Sequence, residues 1–180
     1  WEKYSLPNRT IIRSILADTD KIYCGSYNEF GYWKRVLGKM KYISLSKNKN
    51  IFFGDKSNEE IWKILKINNT VYFQSFNQLY IFKNNKIEII KLPFQISYCF
   101  EIKGKLYLAS INNGVYLFEN QKIVKQNQWN KLQNSIIHNI EKHGDNTYFF
   151  SKKDGIFIDK KGILSSWNNP LNAQLKTELI

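Results

Sequence analysis

The chain has 180 residues, which is near the size of one ordinary domain. Its formal net charge is +12, but the lysines are spread over polar turns without an arginine cluster, so charge does not predict that this segment binds nucleic acid. No run approaches the roughly 20 apolar residues of a transmembrane helix. Because the chain starts at Trp1 and not at a methionine, we expect it to be part of a longer protein.

Four similar segments follow one another along the chain. Each has a tyrosine within an apolar run, a serine three residues later, and a second aromatic-containing run after a polar turn. The segments read KIYCGSYNEFGYW, TVYFQSFNQLYIF, KLYLASINNGVYLF and NTYFFSKKDGIFI. The repeated tyrosines are Tyr23, Tyr72, Tyr107 and Tyr148, and the repeated serines are Ser26, Ser75, Ser110 and Ser151. A match in register over nearly the whole chain predicts a repeat architecture.

The flanks of these segments repeat as well. An apolar run precedes each tyrosine and a further short run closes each unit, so each unit holds four short strands. Runs such as VYFQSF are almost continuously apolar, which is typical of strands buried on both faces. Stacked four-stranded sheets with a period of about 40 residues are the blades of a β-propeller. We therefore predict an all-β fold of about four such blades, at roughly residues 10–56, 57–93, 94–130 and 134–168.

An up-and-down barrel or a β-sandwich would also use short strands, but neither predicts a repeat every four strands. A helical solenoid is excluded by the shortness and the aromatic and β-branched content of the runs. The segment SNEEIWKILK resembles a helix start, because Ser57 and Glu60 have the spacing of a capping box. A strand at Ile61–Ile67 is preferred, since the other units have their first strand at this point.

Turn residues recur at fixed places in the units. The repeated serines are predicted to end the second strand, where a hydroxyl group bonds to turn backbone. Gly31, Gly114 and Gly155 are predicted to precede the third strand and to permit a turn geometry that other residues resist.

The cysteines and histidines show no metal-binding pattern. Cys24 and Cys99 lie in apolar strand-like runs, which favours buried free thiols and leaves a disulfide between them open. His138 and His143 lack ligand spacing to a cysteine or a carboxylate cluster. We therefore predict no metal site and no cofactor.

Both ends of the chain look like links between blades, so residues 169–180 are predicted to begin a further blade or a linker. LPNRTIIRSILADTDKIYCGSYNEFGYW, NEEIWKILKINNTVYFQSFNQLYIF and KKDGIFI resemble the sensor propellers of bacterial two-component regulators. They are most similar to the subgroup in which the propeller precedes a triple-tyrosine domain and a helix-turn-helix or histidine-kinase output. The second unit departs from the pattern in lacking the glycine, and the first is followed by an insertion, SKNKNIFFGDKS.

The resemblance covers almost the whole chain and implies a seven-bladed or larger propeller. It also implies a periplasmic location, as the sensor part of an inner-membrane protein that is a homodimer at full length. Members of the family often respond to carbohydrates or other extracellular small molecules. The implied intramolecular partners are the remaining blades and the downstream domains.

In a propeller, the loops between second and third strands gather on one face. Amide and carboxylate groups there suit hydroxyl-rich ligands, although turn propensity also selects asparagine and aspartate. The candidate ligand-binding residues in these loops are Asn28, Glu29, Asn77, Gln78, Asn112, Asn113, Lys152 and Asp154. Glu29 is expected in the turn itself. Trp62, Trp129 and Trp167 are available either for stacking on a sugar or for packing between blades.

No catalytic motif is present, so the preferred hypothesis is a non-catalytic, ligand- or partner-binding sensor propeller of a bacterial transmembrane signalling or transcriptional regulator. The first alternative is a protein–protein scaffold propeller without a small ligand. The second is part of a propeller enzyme such as a glycosidase or a quinoprotein, which an acidic pair converging on the channel would favour. Fold alone does not decide among these functions.

Overall fold

Four antiparallel sheets of four strands each make up the computed structural model, which describes residues 2–52 and 58–177. In every sheet the strands are hydrogen-bonded in the order in which they follow along the chain. Each sheet is therefore an up-and-down meander of the kind that forms a propeller blade. The predicted all-β fold of four-stranded propeller blades is confirmed. The sheets are called blades 1 to 4 in chain order, and they divide into two compact units, residues 1–92 and 93–180.

The first unit contains blades 1 and 2. Blade 1 consists of β1 (Ser14–Ala17), β2 (Lys21–Ser26), β3 (Glu29–Val36) and β4 (Lys39–Ser44), and a short helix α1 (Leu45–Asn48) follows it. Blade 2 consists of β5 (Lys63–Ile67), β6 (Thr70–Gln74), β7 (Gln78–Lys83) and β8 (Lys86–Lys91). The preference for a strand over a helix before β6 is confirmed at Lys63–Ile67, and Ser57 of the suspected capping box lies outside the described residues.

The second unit contains blades 3 and 4. Blade 3 consists of β9 (Ile96–Ile102), β10 (Lys105–Ser110), β11 (Val115–Glu119) and β12 (Lys122–Lys125). A 3-10 segment (Asn127–Leu132) leads to blade 4, whose strands are β13 (Ile137–His143), β14 (Asn146–Ser151), β15 (Ile156–Lys160) and β16 (Ile163–Ser166). A helical turn, α2 (Leu171–Gln174), follows β16.

Many of the hairpins are closed by two-residue turns whose residues both have a positive φ. This backbone matches the twist of antiparallel strands, and glycine and asparagine adopt it most easily. The pairs are Leu37 and Gly38, Asn84 and Asn85, Lys103 and Gly104, Asn120 and Gln121, and Lys161 and Gly162. The abundance of Asn, Gly and Lys between the apolar runs therefore has a local backbone cause.

Aromatic side chains from blades 1 and 2 form the core of the first unit. The ring of Phe30 lies 4.6 Å from that of Phe73 and 5.0 Å from that of Tyr80, measured between ring centres. Tyr23 packs edge-on against Phe73 at 6.0 Å. Burying each such ring stabilises the fold by about 2 kcal/mol or more. The dense aromatic runs are thus the strands through which two blades pack face to face.

The core of the second unit includes a residue from outside the strands. Trp129, in the 3-10 segment, packs edge-on against Phe149 of β14 at 4.7 Å and lies 5.5 Å from Tyr107 of β10. Leu132 of the same segment is completely buried. Trp129 therefore serves packing within this unit, in line with the second of the two roles considered for it.

The repeated serines are buried and lie at the end of a second strand or, for Ser75, directly after it. The hydroxyl of Ser151 accepts a hydrogen bond from the backbone N–H of Asp154 at 2.7 Å, and that of Ser75 accepts one from Gln78 at 3.1 Å. Ser26 differs, because it donates to the carbonyl of Ile11 at 2.6 Å, before β1.

The glycines have two different roles. Gly114 and Gly155 directly precede β11 and β15 with φ values of 87° and 75°, as predicted. The prediction for Gly31 is wrong, since it is the third residue of β3. A Cβ atom at Gly31 would lie 2.3 Å from the carbonyl oxygen of Ile43 and 2.7 Å from the hydroxyl of Tyr42. Gly31 is needed for the close approach of β4, not for a turn.

Both cysteines are buried thiols that form no disulfide within the described residues, as expected. No helix among the described residues is long and apolar enough to cross a membrane.

Candidate functional site

The loops between second and third strands hold the predicted ligand-binding residues, and these residues fall in both units. In the first unit, Asn28 lies in the turn between β2 and β3, and Glu29 is the first residue of β3. Asn77 lies in the loop between β6 and β7, and Gln78 is the first residue of β7. In the second unit the remaining candidates lie in the loops before β11 and β15; they are Asn112, Asn113, Lys152 and Asp154.

Glu59 connects two of the predicted residues, Asn28 of blade 1 and Gln78 of blade 2. The backbone N–H of Asn28 donates to the carbonyl of Glu59 at 2.7 Å, and the Asn28 side-chain oxygen accepts from the N–H of Glu59 at 2.9 Å. The Gln78 amide donates to the Glu59 carboxylate at 3.1 Å. Sequence reasoning missed Glu59, because it lies in the link before blade 2, where no repeated pattern marks it.

Glu29 is not a turn residue, and the expectation that it lies in the turn is wrong. It is the first residue of β3 and is completely buried. Three hydroxyl groups donate to its Oε1 atom, those of Tyr42 at 3.0 Å, Ser44 at 2.7 Å and Ser46 at 2.9 Å. The Oε2 atom is buried without a hydrogen-bond partner among the described residues.

The shortness of the turn in blade 1 explains the position of Glu29. Only residues 27 and 28 separate β2 from β3, whereas the equivalent loop before β15 spans residues 152–155. The strand therefore starts earlier in blade 1 and draws Glu29 into the ladder opposite Ser26. The missing Cβ of Gly31 makes room for the Tyr42 hydroxyl, which reaches the carboxylate from β4.

Burial controls the protonation of the groups around Glu29. It raises the pKa of the Tyr42 hydroxyl far above its ordinary value, and the neighbouring Cys24 and Glu29 add to this effect. Burial also raises the pKa of the Cys24 thiol to about 12, and the hydrogen bond between Cys24 and Tyr42 opposes this rise. At neutral pH both groups keep their protons, so Tyr42 remains a hydrogen-bond donor to the carboxylate.

A cavity of 230 Å³ lies beside this cluster, and we call it the loop cavity. It is lined by Asn28, Ser46, Lys47, Asn50 and Phe52. The Ser46 hydroxyl that lines it also bonds to Glu29, and Ser44 caps α1 by accepting from the N–H of Lys47 at 3.0 Å. Glu29 thus holds, through two serines, the segment that forms one wall of the cavity.

The loop cavity combines polar groups with an aromatic ring. Lys47 and Asn50 are exposed, while Phe52 is half-buried and packs against Phe30 at 5.8 Å and Tyr80 at 5.5 Å between ring centres. Ammonium and amide groups bind hydroxyl groups, and a held aromatic ring offers a face for stacking. Of the predicted residues, Asn28 lines this cavity.

The second unit has a larger cavity, of 380 Å³, at the corresponding end of blade 4. Its lining includes the predicted residue Asp154 together with Lys131, Lys153, Lys176 and Phe157. Two backbone N–H groups fix the adjacent loop. That of Asp154 donates to the Ser151 hydroxyl, and that of Lys152 donates to the carbonyl of Ile136 at 2.9 Å. This cavity is more basic than the loop cavity.

The other predicted residues are placed differently. Asn77, Asn112 and Asn113 are exposed, and Asn77 accepts from the N–H of Leu92 at 2.9 Å through its carbonyl. Trp62 is half-buried, with its ring 5.3 Å from that of Phe76 and 5.4 Å from the guanidinium of Arg13. Trp167 is also half-buried. In residues 2–52 and 58–177 no group of three or more His, Cys, Asp or Glu side chains is arranged to hold a metal ion.

Comparison with family models gives no match, and comparison with curated proteins gives none either. Solved structures do match. The chain is similar to YCF48 in its complex with D1 peptide, with a TM-score of 0.64 and 11% identity over 94% of this chain and 58% of YCF48. It is also similar to the extracellular domain of BT4673 from B. thetaiotaomicron, assigned as a one-component system, with a TM-score of 0.63 and 12% identity over 91% of this chain and 23% of that one.

A third similar structure is the extracellular domain of BT3049 from B. thetaiotaomicron, assigned as a hybrid two-component system. The TM-score is 0.60 and the identity 13%, over 83% of this chain and 20% of that one. A WD40 β-propeller domain matches as well. The chain spans less than a quarter of each B. thetaiotaomicron domain and just over half of YCF48. At these identities the likeness shows the propeller fold.

Proposed function

We propose that this chain is a non-catalytic sensor module, a part of a β-propeller that binds a hydroxyl-rich ligand for a bacterial signalling regulator. The loop cavity carries this proposal. It joins an exposed ammonium group, amide groups and a held aromatic ring at the end of the blades where propeller loops gather. The similarity to two extracellular domains of B. thetaiotaomicron signalling proteins supports the assignment to sensing.

The chemistry of the cavity favours a carbohydrate. Lys47 has no ion pair with another described residue, so its ammonium group is available to sugar oxygens. Phe52 presents an aromatic ring fixed by its packing on Phe30 and Tyr80. The volume of 230 Å³ is below the roughly 300 Å³ at which sites for drug-sized ligands begin. The cavity therefore suits one sugar ring, such as the terminal unit of an oligosaccharide.

The arrangement of carboxylates supports binding without hydrolysis. Glycosidases need two carboxyl groups about 5–10 Å apart across the sugar. The Glu29 side chain is buried and accepts hydrogen bonds from three hydroxyl groups, and the described residues that line the loop cavity include no carboxylate. A ligand that enters would meet hydrogen-bond donors and an aromatic ring, and would leave unchanged.

We place the module in the periplasm, as the sensor of an inner-membrane protein that acts as a homodimer. Further blades complete the propeller, and a triple-tyrosine domain links it to a helix-turn-helix or histidine-kinase output. The similarity to extracellular domains of signalling proteins supports this placement.

A scaffold that binds a polypeptide is the second candidate. It is favoured by one observation, the similarity to YCF48, whose structure contains a bound D1 peptide. Under this alternative the second–third loops would hold a peptide segment in place of a sugar.

Ligand-dependent stabilisation of the intact protein tests the proposal. A ligand present at 100 times its Kd stabilises the folded state by about 2.7 kcal/mol, which a rise in Tm reports. A panel of oligosaccharides and a panel of peptides are screened against the wild type and against Lys47→Ala and Asn50→Asp, the latter keeping a residue that tolerates the φ of 50°. Lys39→Ala, an exposed lysine of β4, is the control.

We expect an oligosaccharide to raise the Tm, with about tenfold weaker binding for both cavity variants and wild-type binding for the control. If only peptides bind, the hypothesis of a peptide-binding scaffold replaces the hypothesis of a carbohydrate sensor. Oligosaccharide binding that neither cavity variant weakens would move the site away from the loop cavity.

A further inference from the structure

A second cavity of the first unit lies at the opposite end of blades 1 and 2, and we call it the hairpin cavity. It has a volume of 220 Å³ and lies among the turns that join first to second and third to fourth strands. Its lining includes Lys21, Lys66, Lys83 and Asp18. We propose that the hairpin cavity binds a small oxyanion, in the form of a phosphate, sulfate or carboxylate group.

The balance of charge carries the proposal. Three ammonium groups and one carboxylate line the cavity. Lys66 binds both oxygens of Asp18, at 2.7 and 2.6 Å. Lys21 lies 3.4 Å from Asp20, outside the lining, whereas Lys83 is exposed and has no ion pair with any residue that the structure describes. The site therefore holds an excess of positive charge that a bound oxyanion would neutralise.

A rigid floor lies under these charges. Tyr23, Val71 and Phe82 line the cavity and belong to the buried core of the unit. Apolar groups on one side lower the local dielectric, so ammonium groups at the rim attract an anion more strongly than they would on an open surface. Burial raises the pKa of Tyr23 to about 12, so its hydroxyl stays protonated and adds no negative charge.

The turn between β7 and β8 supplies further donors. Asn84 and Asn85 line the cavity and have φ values of 50° and 60°, the backbone of a tight hairpin turn. Turn geometry by itself accounts for asparagine at both positions. Both residues are nevertheless exposed and part of the lining, and the turn holds them next to Lys83.

The size of the cavity limits the ligand. A volume of 220 Å³ holds one oxyanion group with its water, or one acidic sugar ring, and not a longer anionic chain. None of the described residues lines both the hairpin cavity and the loop cavity. The two sites are therefore independent, and failure of one proposal leaves the other intact.

Asp18 competes with the ligand in this arrangement, because it occupies Lys66 in the empty site. Two substitutions should then have opposite effects. Lys83→Gln removes an ammonium group and weakens binding by about fivefold, whereas Asp18→Asn frees Lys66 and tightens binding by a similar factor. A surface that attracts anions only through net charge would respond to every lysine alike.

The experiment titrates the intact protein with sodium phosphate, sodium sulfate and sodium glucuronate by calorimetry. Chloride keeps the ionic strength constant, since salt screens exposed charges. The variants are Lys83→Gln, Asp18→Asn and the control Lys91→Gln, an exposed lysine at the far end of β8. Unfolding curves in chloride check that all variants are folded.

The site is supported if at least one anion binds saturably and the variants rank as expected. Asp18→Asn should then bind most tightly, Lys83→Gln most weakly, and Lys91→Gln like the wild type. The anions that bind then distinguish inorganic from sugar-acid sources. Absence of saturable binding for all three anions, or equal losses in Lys83→Gln and Lys91→Gln, overturns it.

Discussion

Trp129 donates its indole N–H to a carboxylate oxygen of Asp159 over 2.5 Å, which ties the 3-10 segment after blade 3 to the third strand of blade 4. The other oxygen of Asp159 accepts from the backbone N–H of Gly162 at 2.7 Å. The buried Asp159 side chain thus accepts one hydrogen bond from an indole in the core and one from the backbone of a hairpin turn.

We expect Asp159→Ala to destabilise the protein by about 2 kcal/mol or more, because it leaves the buried indole N–H without an acceptor. Asp159→Asn keeps one acceptor oxygen for the indole and loses only the acceptor for the Gly162 N–H, so it should cost less than Asp159→Ala. Urea unfolding of both variants, with the exposed Asp145→Ala as control, measures the difference. Equal midpoints for Asp159→Ala and Asp145→Ala would show that the bond contributes nothing to stability.

The buried carboxylate of Glu29 leads to a second prediction. Glu29→Ala removes the acceptor of three hydroxyl groups and should cost about 3 kcal/mol or more. Glu29→Gln keeps an oxygen in place of Oε1 and should cost less than half of that. The same unfolding measurement decides, with Glu88→Ala on the exposed side of β8 as the matched control. A Glu29→Ala variant as stable as the control would contradict a structural role for the cluster.

Two glycine substitutions distinguish a steric clash with a neighbouring strand from the strain of a positive φ. Gly31→Ala would place a Cβ atom 2.3 Å from a backbone oxygen of β4, so we expect a loss of about 3 kcal/mol or failure to fold. Gly38→Ala meets no atom within 4 Å and carries only the cost of its φ of 79°, about 1 kcal/mol. Denaturant midpoints rank the two variants, and the reverse order would refute the packing of β4 over Gly31.

Alkaline pH should destabilise the fold, because burial keeps the Cys24 thiol and the Tyr23 hydroxyl protonated in the folded state. The folded-state pKa of Cys24 is raised from 9.0 to about 12, and that of Tyr23 from 10.0 to about 12, in both cases chiefly by burial. When the pKa of an acidic group is raised in the folded state, its contribution to stability is complete below the unfolded-state pKa. That contribution is lost progressively as pH rises from the unfolded-state pKa through the folded-state pKa. The free energy of unfolding should therefore fall as pH rises from about 9 toward 12.

Urea unfolding at about pH 8 and at about pH 10.5 measures this slope, and Cys24→Ala should flatten it. In the native state neither Cys24 nor Cys99 should react with a thiol reagent at about pH 8, whereas both should react in urea. Rapid labelling of Cys24 without denaturant would contradict its burial.

The repeat itself was predictable from sequence, because its signals are local. A mid-strand tyrosine, a strand-ending serine and a turn of asparagine or glycine act within about ten residues, and Ser75 and Ser151 make the predicted bonds to turn backbone. The strand before β6 was also predicted correctly from its place in the repeat.

The site was less predictable, because its geometry depends on departures from the repeat. A turn shorter than its equivalents moved Glu29 into a strand, and no alignment on tyrosine shows that change. Glu59 and Phe52 lie in the segment between blades 1 and 2, where no internal copy exists for comparison. The walls of the loop cavity come from that segment as much as from the loops themselves.

Because each described strand forms its backbone ladders with the strands directly before and after it in the chain, every ladder can form outward from a nearby hairpin tip. Lengthening the loop at such a tip destabilises the fold little, since doubling the length of a flexible loop adds only about 0.6 kcal/mol of closure free energy. Insertions at points such as Gly144, in the turn between β13 and β14, where nothing crowds the backbone, would leave the strand registers unchanged. Evolution is thereby free to remodel the rims of these blades while the packed interiors stay as they are.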